Sequence, residues 1–152
     1  MLPAHGLVAA YVPLPTEVPL QALFAFLGAR LALVRTRADH GLAWVTWDGA
    51  APLLPDALGM PAPAGPPADD AQVTAVLVPG LAFSADGRRL GRGKGCYDRT
   101  LARIPAALRV AITWEHCLYA SVPTAAHDER VDLIITASRQ HPTGARPALI
   151  PR

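Results

Sequence analysis

The chain has 152 residues, 51% hydrophobic and 17% charged, with 14 Lys and Arg against 12 Asp and Glu for a formal net charge of +2. That composition excludes an intrinsically disordered chain and, at this length, fits one globular domain with a real core over residues 1–152. Two cysteines are too few for a disulfide framework, no run of about 18 apolar residues offers a membrane span, and the first residues lack the order of a secretory leader, so a reduced, cytoplasmic setting is expected.

Leu7 to Val12 reads as a short buried strand. Thr16 and Glu17 can open a helix with Pro19 in its first turn. Leu20, Leu23, Phe24 and Leu27 then share one face, and Gly28 is placed to close it. Leu31–Val34 and Leu42–Trp47 are the next strand candidates, with Trp44 and Trp47 read as core or pocket walls. Between 49 and 72, six prolines (Pro52, Pro55, Pro61, Pro63, Pro66, Pro67) and Gly49, Gly59 and Gly65 predict an irregular surface connection. Val73–Val78 is the central strand. A helix is expected over 98–104, ending near Pro105, then strands at Arg109–Thr113 and Leu133–Thr136. The tail over 139–152 is Pro-rich and expected to be loose. Short apolar strands alternating with helical segments predict an α/β fold with a largely parallel sheet, whose ligands bind beyond the carboxyl ends of the strands.

The loop after Val78 is placed there. In Arg89-Leu90-Gly91-Arg92-Gly93-Lys94-Gly95-Cys96-Tyr97-Asp98, every second residue from 91 to 95 lacks a Cβ, so the backbone can reach positive φ and approach a ligand closely. The intervening Arg92 and Lys94 are cations, and Lys94 is the only lysine in the chain. An anion-binding backbone with interleaved cations, leading into a helix, suits a polyphosphate. Asp98 adds a hard oxygen beside the phosphates, as Mg²⁺ requires. The loop is neither a GxxxxGK[ST] phosphate loop nor a dinucleotide fingerprint, since Cys96 stands where the third glycine of the latter would fall. A flexible basic loop without ligand, or an RNA-contacting Arg/Gly segment, would have the same composition. Glu17 alone reads as helix-start electrostatics, and Asp128, within His127-Asp128-Glu129-Arg130, as part of a solvated charge cluster.

Three stretches together resemble a known family. Pro79-Gly80-Leu81-Ala82-Phe83 followed by Asp86-Gly87-Arg88-Arg89-Leu90-Gly91-Arg92-Gly93-Lys94-Gly95-Cys96-Tyr97-Asp98-Arg99 is similar to the signature of the 5-formyltetrahydrofolate cyclo-ligases. Tyr11-Val12-Pro13 with Glu17-Val18, and Val122-Pro123 with His127-Asp128, resemble two further segments of that family, so the likeness runs from about residue 8 to about 138. The resemblance implies a three-layer α/β sandwich with a mostly parallel central sheet, cyclo-ligase-like and akin to the CoA transferase-like folds. It implies ATP-dependent conversion of 5-formyltetrahydrofolate to 5,10-methenyltetrahydrofolate through phosphorylation of the formyl oxygen, with ADP and phosphate released.

Carried onto this chain, the resemblance assigns ATP to Arg89, Leu90, Gly91, Arg92, Gly93, Lys94, Gly95, Cys96 and Tyr97, with Lys94 and Arg92 catalytic. It assigns the folate to Val12, Glu17, Arg92, Gly93, Lys94, Gly95 and Cys96, and Mg²⁺ to Asp98 and Asp128. The implied partners are folate and ATP, with no membrane or nucleic acid, and a monomer is expected over an oligomer. Three departures from the family pattern stand out. The family begins with a longer helical segment bearing cations that reach ATP, whereas this chain starts almost at the Tyr11 strand. Cys96 replaces a tyrosine. Arg35 and Glu115-His116 replace a proline and a glutamine. A non-catalytic nucleotide-binding relative is therefore the alternative reading.

Overall fold

In the computed structural model, which describes residues 2–146, the chain runs β1 (Leu7–Ala10), α1 (Gln21–Leu27), β2 (Leu31–Thr36), β3 (Leu42–Thr46), β4 (Leu53–Pro55), β5 (Pro61–Pro63) and β6 (Val73–Leu77). It continues through β7 (Ala82–Ser84), β8 (Arg89–Leu90), α2 (Cys96–Leu101), β9 (Leu108–Ile112), β10 (Leu118–Tyr119), β11 (Leu133–Ile135) and β12 (Gln140–Pro142). Seven strands form the main sheet in the order β12-β11-β9-β6-β1-β2-β3. The inner pairs, β11–β9, β9–β6, β6–β1 and β1–β2, are parallel, and antiparallel β3 and β12 close the two edges. This is the α/β fold with a mostly parallel sheet that the sequence predicts, and β6 is its middle strand.

Parallel strands buried on both faces need continuous apolar runs rather than alternation. Val8, Ala9 and Ala10 are all fully buried for this reason. Successive residues serve opposite faces. Val8, Ala10, Ala75, Leu77, Val110 and Leu133 pack with Leu27 of α1, while Ala9, Val76, Ala111 and Ile134 pack with Leu101 of α2. Trp44 sits in the α2-side core, its Nε1 donating to Asp70 Oδ1 at 2.8 Å. Trp47 lies on the α1 side, edge-on to Phe24.

The structure corrects four expectations. The first helix starts at Gln21, not at Thr16 or Glu17. Glu17 instead closes a turn: its N–H donates to Leu14 O (2.9 Å) and its Oε2 accepts from Leu14 N (2.8 Å), so the carboxylate caps a turn rather than a helix. Gly28 closes the helix as expected, with φ +53° and its N–H on Phe24 O. The segment 49–72 is not irregular throughout. β4 and β5 pair as an antiparallel hairpin, which tolerates proline because a two-stranded sheet needs few of its N–H groups, and a 3₁₀ turn over Asp70–Gln72 carries a capping box from Asp69 and Gln72. The second helix covers Cys96–Leu101 rather than 98–104, and Leu108 belongs to β9. The tail from 139 begins as the edge strand β12 rather than a loose segment; its last residues, 147–152, lie outside the described part.

The loop after β6 also has structure of its own. β7 and β8 pair antiparallel, and β10 adds to β7 in parallel. Their turn depends on Gly87, which sits at φ +87° with its carbonyl accepting from Val131 N (2.9 Å). A Cβ there would meet Val131 O at 2.3 Å, a backbone atom that cannot yield alone. Gly87→Ala is therefore expected to cost about 2–3 kcal/mol and to lower Tm by roughly 5–10 °C. A thermal melt within 1–2 °C of the parent would contradict this role.

Candidate active site

β1 connects toward β2 on one side of the sheet, whereas β6 connects toward β9 on the other. The crevice at the carboxyl ends of β1 and β6 is thus the point where the winding reverses, the usual ligand position in such sheets. A cavity of about 530 Å³ lies there, lined by Tyr11 and Val12 after β1 and by Pro79 and Gly80 after β6. The unbroken run from Arg89 to Asp98 also lines it, as do Glu17, His127 and Asp128. Every residue the sequence assigned to ATP, folate or metal is brought to this one cavity, from stretches more than a hundred residues apart.

The glycines of the loop divide into two kinds. Gly93 (φ +88°) and Gly95 (φ +65°) are left-handed, as the alternation predicts, and Gly95 caps α2 without a side-chain partner for its first N–H groups. Gly91 has no positive φ; a Cβ there would meet Arg89 Nη1 at 2.9 Å, so it makes room for the arginine. Arg99 braces the loop by donating to Lys94 O at 2.7 Å. Arg92 and Lys94 are exposed at the rim, with Arg92 Nη2 3.9 Å from Glu17 Oε1.

Arg89 is almost wholly buried. It donates to Asp98 Oδ1 (3.0 Å) and Pro79 O (3.3 Å), and its guanidinium lies 5.7 Å from the Tyr97 ring centroid. It borders the cavity but chiefly ties the floor together. The Tyr97 hydroxyl is buried without a partner, and burial, then the neighbouring Tyr11, holds its pKa well above the ordinary phenol value. Burial, then Glu17, does the same for Tyr11. Burial thus favours the neutral phenol at both positions.

Asp98 Oδ1 also accepts from Glu129 N at 3.0 Å, which draws the 125–131 segment onto α2. Asp128 Oδ2 accepts from Ala125 N at 2.7 Å, and its Oδ1 lies 3.6 Å from Nε2 of the largely exposed His127. Each carboxylate thus spends one oxygen on its own backbone cradle. Among the described residues no three His, Cys, Asp or Glu side chains group closely enough to cage a metal. Asp98 and Asp128 both line the cavity, and Mg²⁺, which takes one or two protein carboxylates and completes its shell with phosphate oxygens and water, is a cation such a pair could hold.

Sequence reasoning missed one wall. Asp56, Leu58, Met60 and Pro61, from the β4–β5 hairpin, line the cavity together with Val34, Thr36 and Leu42. The available signal was Asp56-Ala57-Leu58-Gly59, with Asp first and Gly last in a β-turn closed by Gly59 N on Asp56 O at 2.9 Å. Burial pushes the Asp56 carboxyl up, but hydrogen bonds led by that from Thr36 outweigh it and hold the pKa below the usual carboxylate value.

A family model described as the 5-formyltetrahydrofolate cyclo-ligase family matches residues 4–137. A 5-formyltetrahydrofolate cyclo-ligase of Mycolicibacterium smegmatis is 34% identical over 143 residues, covering 87% of this chain and 74% of that one. The NMR structure of the Aquifex aeolicus 5,10-methenyltetrahydrofolate synthetase superposes with a TM-score of 0.78 at 30% identity, over 91% of this chain and 72% of that one. The Mycoplasma pneumoniae 5,10-methenyltetrahydrofolate synthetase does so with a TM-score of 0.67 at 21% identity, over 87% and 73%, which speaks to the fold alone.

Proposed function

Since the chain belongs to the 5-formyltetrahydrofolate cyclo-ligase family, we propose that it closes 5-formyltetrahydrofolate to 5,10-methenyltetrahydrofolate at the expense of ATP. The observation that carries this reading is the convergence of residues from all three family-like stretches, the run Arg89–Asp98 with Val12, Glu17 and Asp128, on one cavity that joins a cationic glycine loop to apolar side chains.

The chemical problem is a leaving group. The formyl oxygen on N5 is amide-like and leaves poorly as oxide. Transfer of the γ-phosphoryl group to that oxygen breaks the bond to ADP and makes a phosphate ester. N10 then attacks the formyl carbon, the C–O bond breaks, phosphate departs and the N10 proton is lost. The chain's contribution is positioning and charge neutralisation. Lys94 and Arg92 face the transferring phosphoryl oxygens, and the N–H groups of 93–97 receive the remaining phosphates. Glu17, with Oε2 fixed by Leu14 N, presents Oε1 to the pterin's donors, and Val12 packs beside it. Asp98 and Asp128 would hold Mg²⁺, which supplies further neutralisation of phosphate charge when bound.

The test is direct. The purified chain with 5-formyltetrahydrofolate, Mg²⁺ and ATP should form the methenyl product, followed by its absorbance, and formation should require ATP. ATP binding without product would replace this reading by that of a non-catalytic nucleotide-binding relative. The expected cytoplasmic setting rests on composition; in the structure, no helix among the described residues is long and apolar enough to cross a membrane.

A further inference from the structure

Beside the large cavity lies a second, polar chamber of about 200 Å³, lined by Arg88, Arg89, Arg130, Thr124 and the turn from Ala125 to Glu129. Arg89 and Asp128 line both spaces and so form the boundary between them. None of the roles assigned above uses this chamber. Its donors outnumber its acceptors. Arg89 is 7% exposed, and its Nε has no partner. A buried donor left unmet is unfavourable, and a ligand that meets it gains accordingly. Arg88 gives Nε to Asp86 Oδ2 (2.9 Å) and Nη1 to the Thr124 hydroxyl (3.1 Å), which leaves that hydroxyl's own proton to donate. Among the described residues the Arg130 guanidinium meets only the same Asp86 Oδ2, at 3.7 Å. Two guanidiniums therefore share one carboxylate oxygen. Glu129 spends Oε2 on Arg109 at 2.5 Å, and Asp128 spends Oδ2 on Ala125 N at 2.7 Å.

We infer that this chamber is a waiting site for inorganic phosphate, which crosses the Arg89–Asp128 boundary once the C–O bond has broken and is then held by Arg88, Arg130 and Thr124. Size and chemistry support the assignment. The chamber takes a tetrahedral oxyanion with several waters, at about 30 Å³ for each water. Such an anion accepts from several directions at once, as guanidinium and hydroxyl donors on different segments require. Asp128 has no guanidinium partner among the described residues. It weakens the hold on a second anion while accepting from a hydrogenphosphate O–H. Weak binding suits a product that must leave. The inference rests on the cyclo-ligase reading and deepens it by giving released phosphate a path separate from that of ADP.

The experiment has two arms. In the first, inorganic phosphate is titrated by calorimetry into the chain with Mg²⁺ and a non-hydrolysable ATP analogue filling the glycine loop. The parent should still bind phosphate. Arg130→Gln should bind it about tenfold more weakly, the loss of about one charge-assisted hydrogen bond, and Arg130→Lys should recover most of the affinity. The Arg130 side chain is 43% exposed and lies outside the catalytic machinery, so Arg130→Gln should fold and keep its ATP and folate KM values within about twofold of the parent. In the second arm, a single turnover is followed by methenyl absorbance and by a fluorescent sensor of free phosphate. Free phosphate should trail the methenyl product in the parent, and the delay should shorten by about tenfold in Arg130→Gln. Phosphate binding that the ATP analogue abolishes, or that Arg130→Gln leaves unchanged, overturns the inference. So does free phosphate that appears together with the methenyl product in the parent, since the chamber then takes only oxyanions from solution. Absence of methenyl product from the parent overturns the cyclo-ligase reading and the waiting role with it, whatever the calorimeter shows.

Discussion

Lys94→Ala is expected to lower ATP-dependent turnover by roughly 10²–10³-fold or more, the range seen when one preorganised donor to developing charge is removed. The ammonium sits in the loop between left-handed Gly93 and Gly95, on an exposed stretch braced by Arg99 rather than by Lys94 itself. Its removal leaves the fold's hydrogen bonds intact, so Tm should move by no more than about 2 °C. Lys94→Arg should recover little, because a planar fork does not replace a compact point charge at a transferring phosphoryl group. A second measurement exploits composition. Lys94 is the only lysine, so an amine-directed acylating reagent can modify this side chain and otherwise only the α-amino group. Acylation should inactivate, and ATP should protect. Near-normal turnover by Lys94→Ala would remove Lys94 from the catalytic role.

What could be read in the sequence is what depends on local backbone chemistry. Gly93 and Gly95 need positive φ, which glycine alone adopts freely, and the alternation announces it. Gly91 belongs to the same pattern for another reason, the close approach of Arg89, which only the folded loop reveals. The strands β1 and β11 are continuous apolar runs, and β6 and β9 are broken only by Thr74 and Arg109, because both faces are covered; such runs are visible without the structure. That Asp98 and Asp128 meet in one cavity was legible only through the family resemblance, because the sheet and the Glu129 N contact to Asp98 bring them together.

Two features hid from sequence reasoning because bonds made in the folded chain, not composition, decide them. Proline density over 49–72 argues against regular structure, yet a hairpin that serves as its own small sheet escapes that argument. Glu17 sits where a helix-start acid would be useful, but the nearby Leu14 N–H claims its carboxylate and delays the helix to Gln21. At Glu17 a side chain reaching a backbone N–H overrides helix propensity.

Arg146→Ala is expected to destabilise the fold by about 3–5 kcal/mol, although 139–152 reads in the sequence as a loose tail. Arg146 reaches back to Asp132, whose carboxylate is fully buried, with Nε on Oδ1 at 2.8 Å and Nη2 on Oδ2 at 2.5 Å. It also donates to Ala107 O at 3.0 Å and to Pro105 O. Asp132 in turn accepts from Arg109 N at 2.8 Å, and the buried Arg109 pairs with Glu129 at 2.5 Å. A buried ion pair adds little over an apolar pair of the same volume, but removing one partner strands the other in a low dielectric. Alanine at 146 strands Asp132 in this way. Tm should therefore fall by roughly 6–20 °C, whereas a double change, Arg146→Met with Asp132→Leu, should recover part of the loss, because no charge is then stranded although the Arg109 N–H loses its acceptor. A Tm for Arg146→Ala within about 2 °C of the parent would mean that solvent reaches Asp132 and that the pair is not structural. The consequence extends to the active site. Residues 125–131 lie between Asp98, which holds Glu129 N, and Asp132, which Arg146 anchors. Loosening the anchor frees Asp128 to drift from the loop, so Arg146→Ala should also raise the Mg²⁺ concentration needed for half-maximal turnover, an effect the double change should reverse along with stability.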